Sequence, residues 1–179
     1  MTAMKPMQRR LGHDHRLAQA LWRTGWFEAR ILAALIDEPA RVTAAQMDRW
    51  AGDFDNWAVC DTTCLRLFTA TPFAWASVRR WRGSRDLFVK RAAFALLASL
   101  VRRDHESPDR RFAAALAWIE RGASDPRPMV AKAVNWALRS VGHRSPALRS
   151  QARRVAKRLA AAEAPLTRWI GRNALADLA

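Results

Sequence analysis

Tyrosine is absent from this 179-residue chain, cysteine occurs twice, glycine seven times, and acidic residues number 16 against 31 Lys and Arg. Each scarcity narrows the field. Cys60 and Cys64, one turn apart on a helix, suit a reducing cytoplasm better than a disulfide framework. His13, His15 and the cysteine pair offer no four-ligand spacing, so neither a metal nor any other cofactor is expected. There is no Gly-rich phosphate loop, nucleophile elbow or HExxH, which removes the familiar routes to NTP hydrolysis, serine esterase chemistry and zinc proteolysis. No apolar run approaches the ~20 residues that span a bilayer. The opening MTAMKPMQRRLGHDHR is basic but lacks the apolar core of a secretory signal. A cytoplasmic protein outside the membrane is expected.

What remains is positive charge and helix. The formal net charge is +15 and the pI near 11.6, so the natural partner is a polyanion, nucleic acid first. Arginine and lysine crowd the C-terminal part, where Glu163 and Asp177 are the two acids beyond Arg127. Helical periodicity, with proline and glycine punctuation, predicts helices at about 9–24, 26–37, 43–52, 56–69, 72–81, 85–103, 108–121, 127–142, 146–161 and 165–178, the last broken near Gly171. Thr71-Pro72 and Ser107-Pro108 read as capping hydroxyls before a first-turn proline, and Gly25, Gly122 and Gly142 as helix stops. No stretch alternates as a strand would. VKRAAFALLASL from Val89 aligns without gaps on VAKAVNWALRSV from Val130, an offset of 41 residues that falls in the range of HEAT and armadillo repeats. The predicted fold is all-α: one domain over 1–179, a curved solenoid of antiparallel helix pairs.

Three helical faces carry residues for which packing and a ligand are both open readings, the Arg91 stripe among them fitting a helix–helix seam with arginines at its ends. From Arg127 to Gly142, Val130, Val134, Ala137, Leu138 and Val141 form a core stripe. Lys132, Trp136, Arg139 and His143 lie opposite, a basic face around one large aromatic that suits a phosphate-bearing ligand, or a Trp136 that covers a neighbouring helix with Lys and Arg stems beside it. Between Leu87 and Arg103 the helix is apolar nearly all round, hence central, apart from a stripe of Arg91, Ala95, Ala98 and Arg102. The third face sets Asp61 among Trp57, Cys64, Leu65 and Phe68, where a carboxylate needs either an arginine partner or a task. Asp53 and Asp55 read as N-caps. Trp22, Trp50, Trp75, Trp81 and Trp118 read as packing residues.

QMDRWAGDFDNWAVCD, FVKRAAFALLASL, DPRPMVAKAVNWALRSVG and the closing RWIGRNAL together resemble the bacterial DNA alkylation repair glycosylases, AlkD-like proteins built from HEAT-like repeats. The similarity runs in order from about Leu17 to Leu178. It implies a curved solenoid that grips duplex DNA and hydrolyses the glycosidic bond of N3- or N7-alkylated purines, as a monomer without cofactor. Carried over by motif, Asp61 becomes the catalytic carboxylate with Trp57 and Trp136 beside it, and Arg91 and Arg139 become phosphate contacts. Lys132, Arg102 and His143 join the DNA-binding set from the face analysis. Family members carry more helical chain before the segment matching LAQALWRTGWFEARILAALI, so the resemblance also implies that a first helical layer is lacking here. Two other readings of the same residues stay open: a noncatalytic nucleic-acid binder in which Asp61 pairs with an arginine such as Arg91, and a protein-interaction scaffold.

Overall fold

The computed structural model describes residues 4–179; residues 1–3 of the predicted domain lie outside the described residues. Among the described residues there are helices and no strands. In chain order the α-helices are α1 (Met4–Leu11), α2 (His15–Arg23), α3 (Phe27–Ile36), α4 (Ala44–Gly52), α5 (Trp57–Arg66), α6 (Ala74–Trp81), α7 (Leu87–Arg103), α8 (Asp109–Gly122), α9 (Pro128–Arg144), α10 (Pro146–Ala160) and α11 (Pro165–Asp177). Short 3₁₀ turns follow α3 and α5. None of the described helices is long and apolar enough to cross a membrane.

Side-chain bonds show how these helices are layered. Cys60 and Cys64 of α5 hold the carbonyls of Phe88 and Ala92 on α7, and Asp61 meets Arg91. Arg91 in turn reaches the Met129 carbonyl on α9, while Arg144 at the far end of α9 reaches Val101 at the far end of α7. Asn135 of α9 holds the Ile170 carbonyl of α11, and Arg139 pairs with Asp177. Partners therefore advance together along each pair of helices, so α5, α7, α9 and α11, with α3 at their head, lie parallel as the inner helices, and the even-numbered helices form the outer layer. At the head of the inner layer, Arg30 of α3 reaches the segment that enters α5, donating to the Asp53 carbonyl.

The even-numbered helices make the second layer. Trp22 of α2 stacks on Trp50 of α4 with centroids 3.8 Å apart and planes 4° apart. Asp48 of α4 accepts from Trp81 and Arg80 of α6. Trp75 of α6 meets Phe112 of α8 edge-on, Arg82 covers Trp118, and Arg158 of α10 chelates Glu120 of α8. The result is the repeat architecture that the offset of 41 residues announced: Leu87–Arg103 and Pro128–Arg144 are equivalent helices, displaced by 41 at both ends. The buried apolar side chains form one cluster from Ala18 to Leu178, with α7 at its centre.

Local details differ from the sequence reading where tertiary contacts override local signals. The helix predicted over 9–24 is two helices, because Gly12 adopts φ +68° and Asp14 caps α2 by accepting from the Leu17 N–H. The last helix is unbroken. Gly171 sits inside it, and a Cβ there would stand 2.2 Å from the Ala160 nitrogen and 2.6 Å from the Ala156 carbonyl oxygen, so it marks close approach of α10 and α11. Gly142 likewise lies inside α9, against Leu178, whereas Gly122 ends α8 as the sequence reading expected, its Cα facing Phe94. Thr71 does not cap α6: it closes the 3₁₀ turn after α5, its hydroxyl donating back to the Phe68 carbonyl, and α6 begins only at Ala74. Pro108, not Ser107, occupies the N-cap of α8. Asn56 caps α5, while Asp53 closes α4 and accepts from the Trp22 indole.

Candidate functional site

Asp61 stands one turn into α5, beside the core rather than in it. The core face of α5 is Val59, Cys60, Thr63 and Cys64; Asp61 and Trp57 lie on its margin, where α5 meets α7 and α9. There Arg91 holds the carboxylate at both oxygens, Nε to Oδ1 at 2.9 Å and Nη2 to Oδ2 at 2.7 Å. The third arm of the guanidinium donates to the Met129 carbonyl at 2.6 Å. The Arg91 side chain is 7% exposed and that of Asp61 20%. This is a two-toothed, charge-assisted clamp that fixes the carboxylate plane and supplies its counter-charge. A cavity of about 270 Å³ opens over the pair, lined by Trp57, Asp61, Arg91, Met129 and Lys132. Trp57, 55% exposed, forms its rim.

Trp136, Arg139, Arg102 and His143 line a second and larger cavity, about 690 Å³, with Val101, His105, Asp109, Ser140, Arg144 and Asp177. The predicted residues thus fall into two adjoining sets, with Trp136 one helical turn along α9 from Lys132 and on the same face. Asp177, the last residue of α11, organises the second set: Arg139 donates to one oxygen at 2.9 Å and His143 meets the other at 2.6 Å. Burial works to raise the Asp177 carboxyl, but the bonds from His143 and Arg139 outweigh it and hold the group below the usual carboxylate range.

Further hollows extend the second cavity. Arg102 also lines a space of about 340 Å³ with Leu65, Arg66, Ser99 and Arg103. Arg66 in turn lines one of about 490 Å³ with Gln8, Arg9, Gly12, His13, Ile31, Leu35 and Thr62. Shared walls make these three a single trough across the C-terminal halves of α3, α5, α7 and α9, with α1 at one end. Arg9, Arg66, Arg102, Arg103 and Lys132 are exposed and have no carboxylate partner among the described residues. Arg9, Arg66 and Arg103 are functional candidates that the helix-by-helix reading passed over. Their only sequence signal was being arginine, which a solvated face would also explain.

Potential metal ligands are otherwise engaged. His15 Nδ1 meets the buried Asp37 carboxylate at 2.6 Å, His13 Nδ1 faces the Asp37 carbonyl, and Gln46 donates to the other Asp37 oxygen. Among the described residues no group of three or more His, Cys, Asp or Glu converges to hold a metal. Burial pushes the Cys60 thiol well above its ordinary range, with the Cys64 hydrogen bond adding to it, so the thiol stays protonated and inert.

Residues 2–178 match the family described as DNA alkylation repair enzyme. Among solved structures the chain is similar to one described as "A new family of proteins related to the HEAT-like repeat DNA glycosylases with affinity for branched DNA structures", with a TM-score of 0.79 and 21% identity over 87% of this chain and 67% of that one. At that identity the likeness establishes the fold. No curated protein matches the sequence.

Proposed function

Because the chain belongs to the DNA alkylation repair enzyme family, we propose that it is a monomeric DNA glycosylase that hydrolyses the bond between deoxyribose and an N3- or N7-alkylated purine in duplex DNA. Such a base carries positive charge and leaves without a protonating acid. As the C1′–N bond breaks, its electron pair returns to the base and neutralises it, and C1′ becomes oxocarbenium-like. A fixed carboxylate beside C1′ stabilises that charge. Water then adds to C1′, losing its proton to solvent, and Asp61 is placed to orient it.

The observation that carries this reading is the Arg91–Asp61 clamp beneath an open cavity rimmed by Trp57. The clamp holds the acid in one orientation before substrate arrives, and preorganised charge is what such a transition state rewards. In this reading Arg91 is a positioning residue acting through Asp61, since Asp61 and Met129 already engage its donors. Phosphate contact falls to the unpaired Lys132, Arg102, Arg103 and Arg66, with Arg139 and His143 released in part from Asp177. Inner helices spaced ~10 Å apart make the trough about 30 Å long, close to one turn of duplex, ~34 Å. Trp136 supplies a second aromatic surface in the trough, one turn along α9 from Lys132 of the Asp61 cavity.

The test is release of methylated purine from alkylated duplex DNA. The wild type is expected to release it, and Asp61→Asn to do so on the order of 10²-fold more slowly. Equal rates would remove Asp61 from the chemistry. A specific observation also favours a second reading, a noncatalytic reader of DNA structure: a carboxylate held at both oxygens by arginine is a complete structural pair, and the similar fold is described as having affinity for branched DNA. DNA binding by the wild type with no purine release would select it.

A further inference from the structure

The N-terminal end of α3 carries two exposed aromatic rings, Trp26 and Phe27, that the chemistry at Asp61 does not use. Trp26 is 73% exposed, Phe27 45%, and Trp57 stands in the corresponding place on the next inner helix. Two neighbouring rings exposed together make an apolar patch that a ligand can cover. The turn before α3 presents Trp26 outward: Gly25 takes φ +76°, a conformation that favours glycine, and the Trp26 N–H is tied to the Thr24 hydroxyl at 3.3 Å. One turn along α3, Arg30 donates to the Asp53 carbonyl at 2.9 Å and lies 3.6 Å from the Asp55 carboxylate. It thereby fastens the Trp26 end of α3 to the segment that leads into Trp57.

We propose that Trp26 and Phe27 form a stacking platform for unpaired bases of single-stranded DNA, as at a flap or junction beside a duplex held in the trough. The inference rests on the DNA-binding reading above but not on glycosylase activity. The local charges support bases as the occupant. Glu28, exposed and next to Phe27 in the chain, disfavours a phosphate laid over the rings, whereas the flat face of a base has no such penalty. Arg23, exposed at the end of α2, and the trough beyond Trp57 are left to hold the backbone. Stacking on an indole is tolerant of sequence because every base presents a π-face.

The experiment measures the affinity of the full chain for a twelve-nucleotide oligothymidine and for a blunt duplex of equal length, each across a salt series. Wild type is compared with Trp26→Ala/Phe27→Ala and with Trp26→Phe. The double variant is expected to bind the single strand about tenfold more weakly, with duplex affinity and the salt slope unchanged, because stacking releases no counterions. Trp26→Phe should recover most of the loss. Thermal melting of the double variant should stay close to wild type, since Trp26 is largely and Phe27 nearly half exposed. Equal single-strand affinity for wild type and double variant overturns the proposal, as does failure of the wild type to bind the single strand. A concentration-dependent mass increase abolished by the double variant, with single-strand affinity unchanged, would assign the patch to a second copy and overturn it too. Duplex affinity is read separately, so failure of the trough reading shows as lost duplex binding, whatever Trp26 does.

Discussion

Asp61 and Arg91 are the residues on which the chemistry turns, and the two are not equivalent when removed. Taking the charge from Asp61 leaves a nearly buried guanidinium facing a neutral amide. Asp61→Asn is therefore expected to lower stability by about 2 kcal/mol as well as slowing purine release, which urea unfolding would measure beside the activity assay. Arg91→Ala frees a carboxylate that is already partly in water, so its cost falls on orientation. We predict that kcat drops on the order of tenfold or more while duplex affinity changes less than threefold. A loss of affinity with unchanged kcat would return Arg91 to phosphate contact. The sequence supplied both residues and even the possibility of their pairing, as an acid misplaced on an apolar margin and an arginine in a helix otherwise apolar. It could not say whether that arginine faces the acid or the DNA, because the choice depends on the offset between α5 and α7.

At the scale of helices, close approach and end-to-end fastening decide stability. Gly171→Ala drives a methyl into the backbone of α10, so α10 and α11 must separate; a loss of about 3 kcal/mol or more is expected in thermal unfolding. Asp125 fastens the start of α9 to the start of α7, accepting from Arg127 at 2.7 and 2.8 Å and from Lys90 at 2.8 Å. The Arg127 bonds, opposed by burial and joined by Lys90, hold its carboxyl far below the ordinary 3.8. A depressed carboxyl binds its proton more readily in the unfolded chain. Its stabilisation is therefore complete above the ordinary value and is lost as pH falls from about 4 toward the folded value. Wild type should exceed Asp125→Asn by about 2 kcal/mol at pH 6, with the gap closing below pH 4 in melts of both proteins. Gly171 read in the sequence as a helix break, and Asp125 drew no reading of its own. Their roles come from helices more than 30 residues away or from packing across layers, which no local rule contains.

Taken whole, the molecule has a formal charge of +15 that is unevenly tied. Arg158 on the outer layer is chelated by Glu120, whereas Arg66 and Arg102, in the trough, have no carboxylate partner among the described residues. Removing either trough arginine should reduce the slope of log affinity against log salt for duplex DNA by about one, and Arg158→Ala should leave it unchanged. Equal effects from all three would mean that the charge acts diffusely and that the trough does not track the phosphates.

The all-helical repeat, its 41-residue period and the family were fixed by the residues alone, because 3.6-residue periodicity, proline placement and motif order are local or linear properties. So was the basic character of one face of α9. Tertiary structure decided the division of the predicted site into an Asp61 cavity and a Trp136 cavity, and the joining of three hollows into one trough through shared arginines. It also decided that Arg91 clamps the acid. Each depends on the distance and register between helices far apart in the chain, which are set by how their side chains interlock across the layer and are written in no single segment.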